Sequence, residues 1–360
     1  LIKYIGSKRA LIPWIVEVVD AVAEATEVRQ VVDLFSGSGR VGHALKAQGY
    51  FVASNDINAY AHVLATCLVQ ADRDQYPPDR IEPMLEHLMS LEGKEGYFTQ
   101  TFCREARFFQ PKNGARVDAM RIELEVMAKD DPVLRAILLT SLILAADRVD
   151  STTGVQMAYL KQWAPRAHKD MELRYPDLIS GAGQAFRTDA LELASEVRGD
   201  LIYLDPPYNQ HAYLSNYHIW ETLVLQDKPE AYGIARKRVD CRTRKSPFNS
   251  KRKAADALQS VLENIRIENV LLSFSNEGVF SVEDIGRLMS ERCQVTTLWR
   301  EHKRYVGARI GIYNPSGKRV GKVSHTKNRE YLFLSSPNPA VHEAVNAQMA
   351  KGAEQLVAAI

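Results

Sequence analysis

Residues 30–39 read QVVDLFSGSG, a short β-branched run that breaks into a glycine- and serine-rich turn, and residues 40–48 (RVGHALKAQ) return to helical spacing. That order predicts a strand, a tight turn and a helix, because valine suits a pleated sheet and glycine turns sharply without steric cost. Gly49 stops the helix. Residues 50–54 (YFVAS) make a second strand and 59–71 a second helix. A β-α-β-α opening of this kind predicts an α/β, doubly wound, mostly parallel sheet.

Outward from there the alternation lapses. Between 72 and 185 the periodicity gives helices near 80–91, 115–127 and 132–149, joined by polar and aromatic loops. A stretch this long exceeds an ordinary connection and reads as an inserted helical subdomain. Strand-like runs resume at 201–204 (LIYL), 269–274 (NVLLSF), 294–298 and 330–334, and 340–359 reads as a closing amphipathic helix. The expected organisation is one sheet domain from 1–71 and 186–360, interrupted by 72–185.

Composition narrows the class. With 360 residues and 46% apolar content the chain can bury a large core. No run of about 18 apolar residues and no signal-peptide core is visible, so no membrane span is expected and the cytoplasm is the expected location. The four cysteines, Cys67, Cys103, Cys241 and Cys293, lack metal-ligand or disulfide spacing and are expected to be reduced thiols, with no metal bound. A net charge of +2 conceals an uneven distribution. Basic residues cluster between 234 and 254, Arg244 and Lys245 among them, and again from Arg300 to Arg329, where they alternate with glycine and tyrosine. Both clusters suit phosphate contacts or an ordinary solvated surface.

In an open parallel sheet a ligand sits beyond the carboxyl ends of the strands. The turn Asp33-Leu34-Phe35-Ser36-Gly37-Ser38-Gly39 occupies that place, and the next strand ends at Asp56, whose carboxylate can accept from both hydroxyls of a ribose. Gly37, Gly39 and Gly42 also fit dinucleotide spacing, so S-adenosyl-L-methionine and NAD both remain open at this point. Residues 1–8 (LIKYIGSK) add a glycine and a lysine ahead of a helix near Arg9. The backbone from Tyr4 through Ile5 and Gly6 to Ser7, with the Lys8 ammonium, can supply donors to a carboxylate, and Asp33 or Asp205 can balance an amino group.

Residues 201–208 (LIYLDPPY) are a buried strand delivering an acid, two prolines and an aromatic to the same edge of the sheet. An exocyclic ring amine is a poor nucleophile because its lone pair is delocalised, and two acceptors on its two N–H groups draw that pair back. The Asp205 carboxylate and the Pro206 carbonyl can be those acceptors, with Pro206 and Pro207 fixing the backbone and Tyr208 offering a stacking face to a flipped base. An ordinary proline turn is the alternative for the tetrapeptide alone.

Together these residues resemble the alpha group of DNA adenine-N6 methyltransferases, the Dam-type enzymes, in their restriction-modification branch. Lys3, Tyr4, Gly6, Ser7 and Lys8 match its first motif, and Asp33, Phe35, Gly37, Ser38 and Gly39 its second. The ribose contact then falls on Asp56, beside Ile57, and the cofactor adenine contact on Asp189 in the segment FRTDA that ends at Ala190. Residues 208–221, Asn276-Glu277, Lys303-Arg304-Tyr305 and 329–332 are similar to the same branch, so the resemblance covers nearly the whole chain. It implies a seven-stranded methyltransferase sheet, a target-recognition role for the insertion, base flipping, double-stranded DNA as substrate, S-adenosyl-L-methionine as cofactor, DNA contacts at Arg244, Lys245, Lys303, Arg304 and Tyr305, a nucleoid-associated location and pairing with a restriction endonuclease. Cytosine N4 is the rival acceptor and an NAD-linked oxidoreductase the rival class; a catalytically silent DNA-binding factor is a third. Cytosine C5 chemistry is excluded because it needs a cysteine after proline, and no cysteine here follows one.

Overall fold

Parallel strands covered on both faces should be buried along their whole length, and the central ones are. In the computed structural model, which describes residues 2–208, 210, 212–276, 278, 280–303, 312–313, 319–321 and 327–351, all positions of Leu201–Leu204 and Asn269–Ser275 are buried. The strands of the sheet are β1 (Gln30–Asp33), β2 (Phe51–Asn55), β3 (Gly183–Phe186), β4 (Leu201–Leu204), β5 (Asn269–Ser275), β6 (Gln294–Lys303) and β7 (Lys327–Ser336). This is the expected seven-stranded, mostly parallel sheet of a mixed α/β fold.

The longer helices are α1 (Ile12–Thr26), α2 (Arg40–Ala47), α3 (Ala59–Ala65), α4 (Pro78–Ser90), α5 (Pro111–Met127), α6 (Pro132–Arg148), α7 (His218–Leu225), α8 (Ala254–Asn264), α9 (Val282–Ser290) and α10 (Pro339–Lys351). Among the described residues none is long and apolar enough to cross a membrane.

The chain divides into two compact units, the first made of Leu1–Val16, Arg29–Leu193 and His211–Ser246, the second of Glu17–Val28, Ala194–Gln210 and Pro247–Ile360. In the first unit β2 pairs in parallel with both β1 and β3. β3 is a strand the sequence did not announce: its four residues GQAF are only half-buried, and its first residue is a glycine. A side chain at Gly183 would collide with the Val69 carbonyl, so glycine is what lets this edge strand lie against the π-turn Thr66–Gln70. That π-turn also shortens the helix expected over 59–71 to α3.

The stretch expected as an insertion, 72–185, lies within the first unit, where its helices share one core with α3 and α7. α6 is apolar on all sides and sits at the centre of that core, with Leu138, Leu139, Leu142 and Ile143 fully buried. It starts where Pro132 occupies the first turn and the Asp131 carboxylate accepts from Leu134 N. In the second unit β5 pairs in parallel with β4 and antiparallel with β7, which runs antiparallel to β6 over ten residue pairs from Lys327↔Lys303 to Ser336↔Gln294.

Candidate cofactor cradle and acceptor loop

In the first unit the turn after β1 uses glycine where the backbone is left-handed, at Gly37 (φ 51°) and Gly39 (φ 73°). Gly37 N donates to Asp56 Oδ2 at 3.1 Å, and a Cβ on Gly37 would lie 3.0 Å from the Tyr4 hydroxyl. The N-terminal arm, the glycine turn and the end of β2 therefore meet at one place. Asp56 Oδ1 accepts from Asn58 N at 2.8 Å and from its side-chain amide at 3.0 Å. Burial pushes the Asp56 carboxyl up to about 6, against the hydrogen bonds from Asn58 and Gly37 that lower it. Next to it Ile57 is a large apolar residue left 48% exposed, a surface suited to the face of a flat ring.

Asn55, fully buried, ties this edge together. Its amide donates to Leu34 O (3.2 Å) and Thr188 O (3.1 Å), and its carbonyl accepts from Thr188 N (3.1 Å). One side chain thus links the segments following β1 and β3 to β2, and fixes the approach to Asp189. Asp189 Oδ1 accepts from Leu191 N at 2.9 Å, capping the short turn that begins at the buried Ala190. Asp33, Ser36, Ser38 and Lys8 are buried around the turn, and Phe35 is half-buried.

The Ser7 and Ser36 hydroxyl oxygens are shielded from solvent and make no hydrogen bond among the described residues. Buried hydroxyls carry a desolvation cost unless a partner meets them, so two such groups beside a glycine turn fit a polar ligand. Hydroxyl and ammonium donors at Ser7, Ser36 and Lys8, carboxylate acceptors at Asp56 and Asp189, and the apolar surface of Ile57 together suit a zwitterionic amino acid joined to a nucleoside.

Four further residues shape this part of the first unit: Tyr213, Tyr217 and Glu221 from the aromatic segment 208–221, and Tyr60 from α3. The Tyr4 ring lies nearly parallel to those of Tyr217 (4.7 Å between centroids, 9°) and Tyr213 (5.2 Å, 10°), and its hydroxyl is 3.4 Å from that of Tyr60. Ile5 N donates to the Tyr217 hydroxyl at 2.6 Å. Glu221, fully buried, accepts from Tyr60 N at 3.1 Å through Oε2. Its Oε1 accepts two 3.1 Å bonds from the Arg244 guanidinium, with Arg187 3.9 Å away. At the other end of the arm, Lys3 Nζ donates to Asp150 Oδ1 at 2.8 Å.

In the second unit β4 ends at Leu204, and Asp205, Pro207 and Tyr208 emerge half-buried while Pro206 is buried. Asp205 thus stands at the strand end half-buried, with its Oδ1 shielded from solvent. The Tyr208 ring packs edge-on against Phe274 of β5 (5.6 Å, 67°), and Phe274 packs in turn on Phe280 (5.8 Å). Gly278 belongs to that support, since any side chain there would collide with the Phe274 ring. A strand-end acid, two fixed φ angles and a braced aromatic make a rigid set of acceptors and a stacking face.

The model of the D12 class N6 adenine-specific DNA methyltransferases matches residues 4–283. The chain belongs to this family. It is 31% identical over 303 residues to the modification methylase StsI of Streptococcus sanguinis, covering 80% of this chain and 46% of that one. It is 30% identical over 371 residues to the Type II methyltransferase M.FokI of Planomicrobium okeanokoites (93% and 57%), and 29% identical over 313 residues to M.NlaIII of Neisseria lactamica (84% and 92%). This D12-class chain spans about half the length of the first two relatives.

The residues expected at DNA fall into three groups. Arg244 is half-buried and held by Glu221 and by Asp240 Oδ2 at 3.2 Å, whereas Lys245 is exposed, its ammonium on the Cys241 carbonyl at 3.0 Å. Lys303 ends β6, and Arg304 and Tyr305 lie outside the described residues. Within the insertion, Asn113 and Arg116, two polar groups able to bond base edges, instead hold the backbone at Lys169 and Met171. No group of three or more metal-ligating side chains occurs among the described residues.

Proposed function

We propose that this chain transfers a methyl group to N6 of adenine in double-stranded DNA, using S-adenosyl-L-methionine, as the modification activity of a Type II restriction-modification system with a companion endonuclease. The observation that carries the reading is the Asp205-Pro206-Pro207-Tyr208 loop at the end of a fully buried strand, braced through Phe274. When bound, S-adenosyl-L-methionine supplies a methyl group activated by a positive sulfonium.

The residues of the chain then have separable tasks. Asp56 accepts from the ribose hydroxyls, Asp189 accepts from the adenine amine of the cofactor, and Ile57 covers a face of that ring. Lys8, Ser7 and Ser36 donate to the carboxylate end, and Asp33 accepts from the ammonium. On the acceptor side, Asp205 and the Pro206 carbonyl each accept one N–H of the target amine, which returns its lone pair to nitrogen and directs it at the methyl group. Tyr208 stacks on the flipped base, whose extraction from the duplex costs a few kcal/mol. Exposed Lys245 and the basic residues near Lys303 neutralise phosphates.

The test is methylation of an unmodified genome by the purified chain, with modified bases mapped by single-molecule sequencing. N6-methyladenine at one defined sequence supports the reading. N4-methylcytosine, or duplex binding with no modified base, would replace it.

A further inference from the structure

We propose that Tyr217 is a positioning residue for the cofactor: one turn of helix, through the Tyr217 hydroxyl and the Glu221 carboxylate, holds the N-terminal arm and the start of α3 in register with the glycine turn. The inference rests on the proposed use of the first unit's cradle for S-adenosyl-L-methionine. Neither residue is part of a glycine turn, an acidic strand end or the acceptor loop.

The geometry is that of a two-point clamp. Tyr217 and Glu221 are four residues apart, so they share a helical face. The first accepts the Ile5 backbone N–H at 2.6 Å and lies nearly parallel to Tyr4; the second accepts the Tyr60 backbone N–H at 3.1 Å. Both acceptors are almost wholly buried, at 1% and 0% exposure, so packing holds each of them in place for its backbone donor. The two held segments carry the cradle's ligand groups. Two residues after Ile5 comes Ser7, whose buried hydroxyl makes no hydrogen bond among the described residues, and four residues before Tyr60 comes Asp56, which fixes Gly37 N. Tyr4 also fills the space that a side chain on Gly37 would need. Displacing the arm therefore moves ligand groups against the turn while the acceptor loop of the second unit keeps its own residues and support.

The conservative variant Tyr217→Phe separates this role from simple packing, because the ring stays and the hydroxyl that accepts from Ile5 N–H is lost. Calorimetric titration with S-adenosyl-L-methionine should show Kd raised about two- to tenfold, the range of one hydrogen bond. At saturating cofactor kcat should match wild type, as should affinity for duplex DNA. Tyr76→Phe is the control, since it deletes another tyrosine hydroxyl bond of the first unit, 2.9 Å to Asp131 at the cap of α6, and should leave cofactor Kd unchanged. Amide exchange over residues 2–8, followed by mass spectrometry without ligand, should be faster in Tyr217→Phe; in wild type it should slow when cofactor is added. Unchanged Kd in Tyr217→Phe, equal weakening in Tyr76→Phe, or an arm whose exchange in wild type ignores the cofactor would overturn the inference. Wild type that fails to bind S-adenosyl-L-methionine at all would instead overturn the functional reading beneath it.

Discussion

The two halves of the chemistry are built on opposite plans. In the first unit the proposed cradle is assembled from segments far apart in sequence: 33–39 and 188–190 are both tied to 55–58 by hydrogen bonds through Asn55 and Asp56, and 4–8 is held by the Tyr217 hydroxyl through Ile5 N–H. In the second unit the acceptor loop is four contiguous residues at one strand end, supported chiefly by aromatic packing of Tyr208 on Phe274. A ligand with many polar atoms needs many donors held at fixed separations, whereas one amine needs two acceptors and a flat wall. The contrast predicts that damage to the cradle shows in binding and damage to the loop shows in turnover.

The sharpest way to break that comparison is Asp205→Ala. Removing a preorganised acceptor used only as charge shifts on the amine should lower kcat about a hundred- to thousandfold, with cofactor and duplex Kd near wild type. Single-turnover kinetics beside calorimetry would check it, and a loss confined to KM would dissolve the distinction between the two regions.

Next in size is Asp56→Asn. A carboxylate accepting two hydroxyls is worth more than a neutral amide, so cofactor Kd should rise about tenfold. Because burial lifts this carboxyl from 3.8 to about 6, the ionised form that accepts hydrogen bonds is lost as pH falls through about 6. Wild-type affinity should therefore improve as pH rises across that value, and the variant should be flat. Stability runs the other way. The folded protein holds this proton more tightly than the unfolded chain, so the contribution of Asp56 favours folding below about 4 and fades as pH rises to about 6. Urea unfolding at several pH values should show that slope in wild type and its absence in Asp56→Asn.

The same contrast explains what could be read in the sequence. The proposed acceptor loop is local, so LIYLDPPY announces a strand and its end together. The glycine turn is local as well, and Gly37 and Gly39 do adopt the left-handed backbone that the pattern demanded. β3 was hidden because a four-residue, half-buried edge strand opening on glycine has no apolar period to detect. Asn55, Tyr217 and Glu221 were hidden for a different reason. Their partners lie at Thr188, Ile5 and Tyr60, and such pairings follow from the tertiary arrangement and not from spacing along the chain. Charge alone did not show Arg244's partner either: it belongs to a basic run, and a buried glutamate from another segment holds it.

A smaller effect probes the loop's support without touching its chemistry. Gly278→Ala would press a methyl group into the Phe274 ring, and the ring can yield only by moving against Tyr208 or Phe280. We expect kcat to fall by roughly two- to tenfold, a cost of about 1 kcal/mol, with cofactor Kd unchanged. A 2-aminopurine probe at the target position would register weaker stacking of the flipped base, whereas an unaltered signal would detach Phe274 from that task.

The smallest expected effect separates two adjacent cations. Lys245 is exposed, and among the described residues its ammonium meets the neutral Cys241 carbonyl, so its charge is available to a phosphate; Arg244 already neutralises a buried acid. Lys245→Met should reduce the slope of log K against log salt for duplex binding by about 1. Arg244→Met should leave Glu221 with only the more distant Arg187 as a nearby cation, and so lower thermal stability and weaken cofactor binding more than it changes that slope. If instead Arg244→Met alters the salt dependence while its melting temperature and cofactor affinity stay at wild-type values, the ion pair opens when DNA arrives, and the cradle and the DNA surface share that residue.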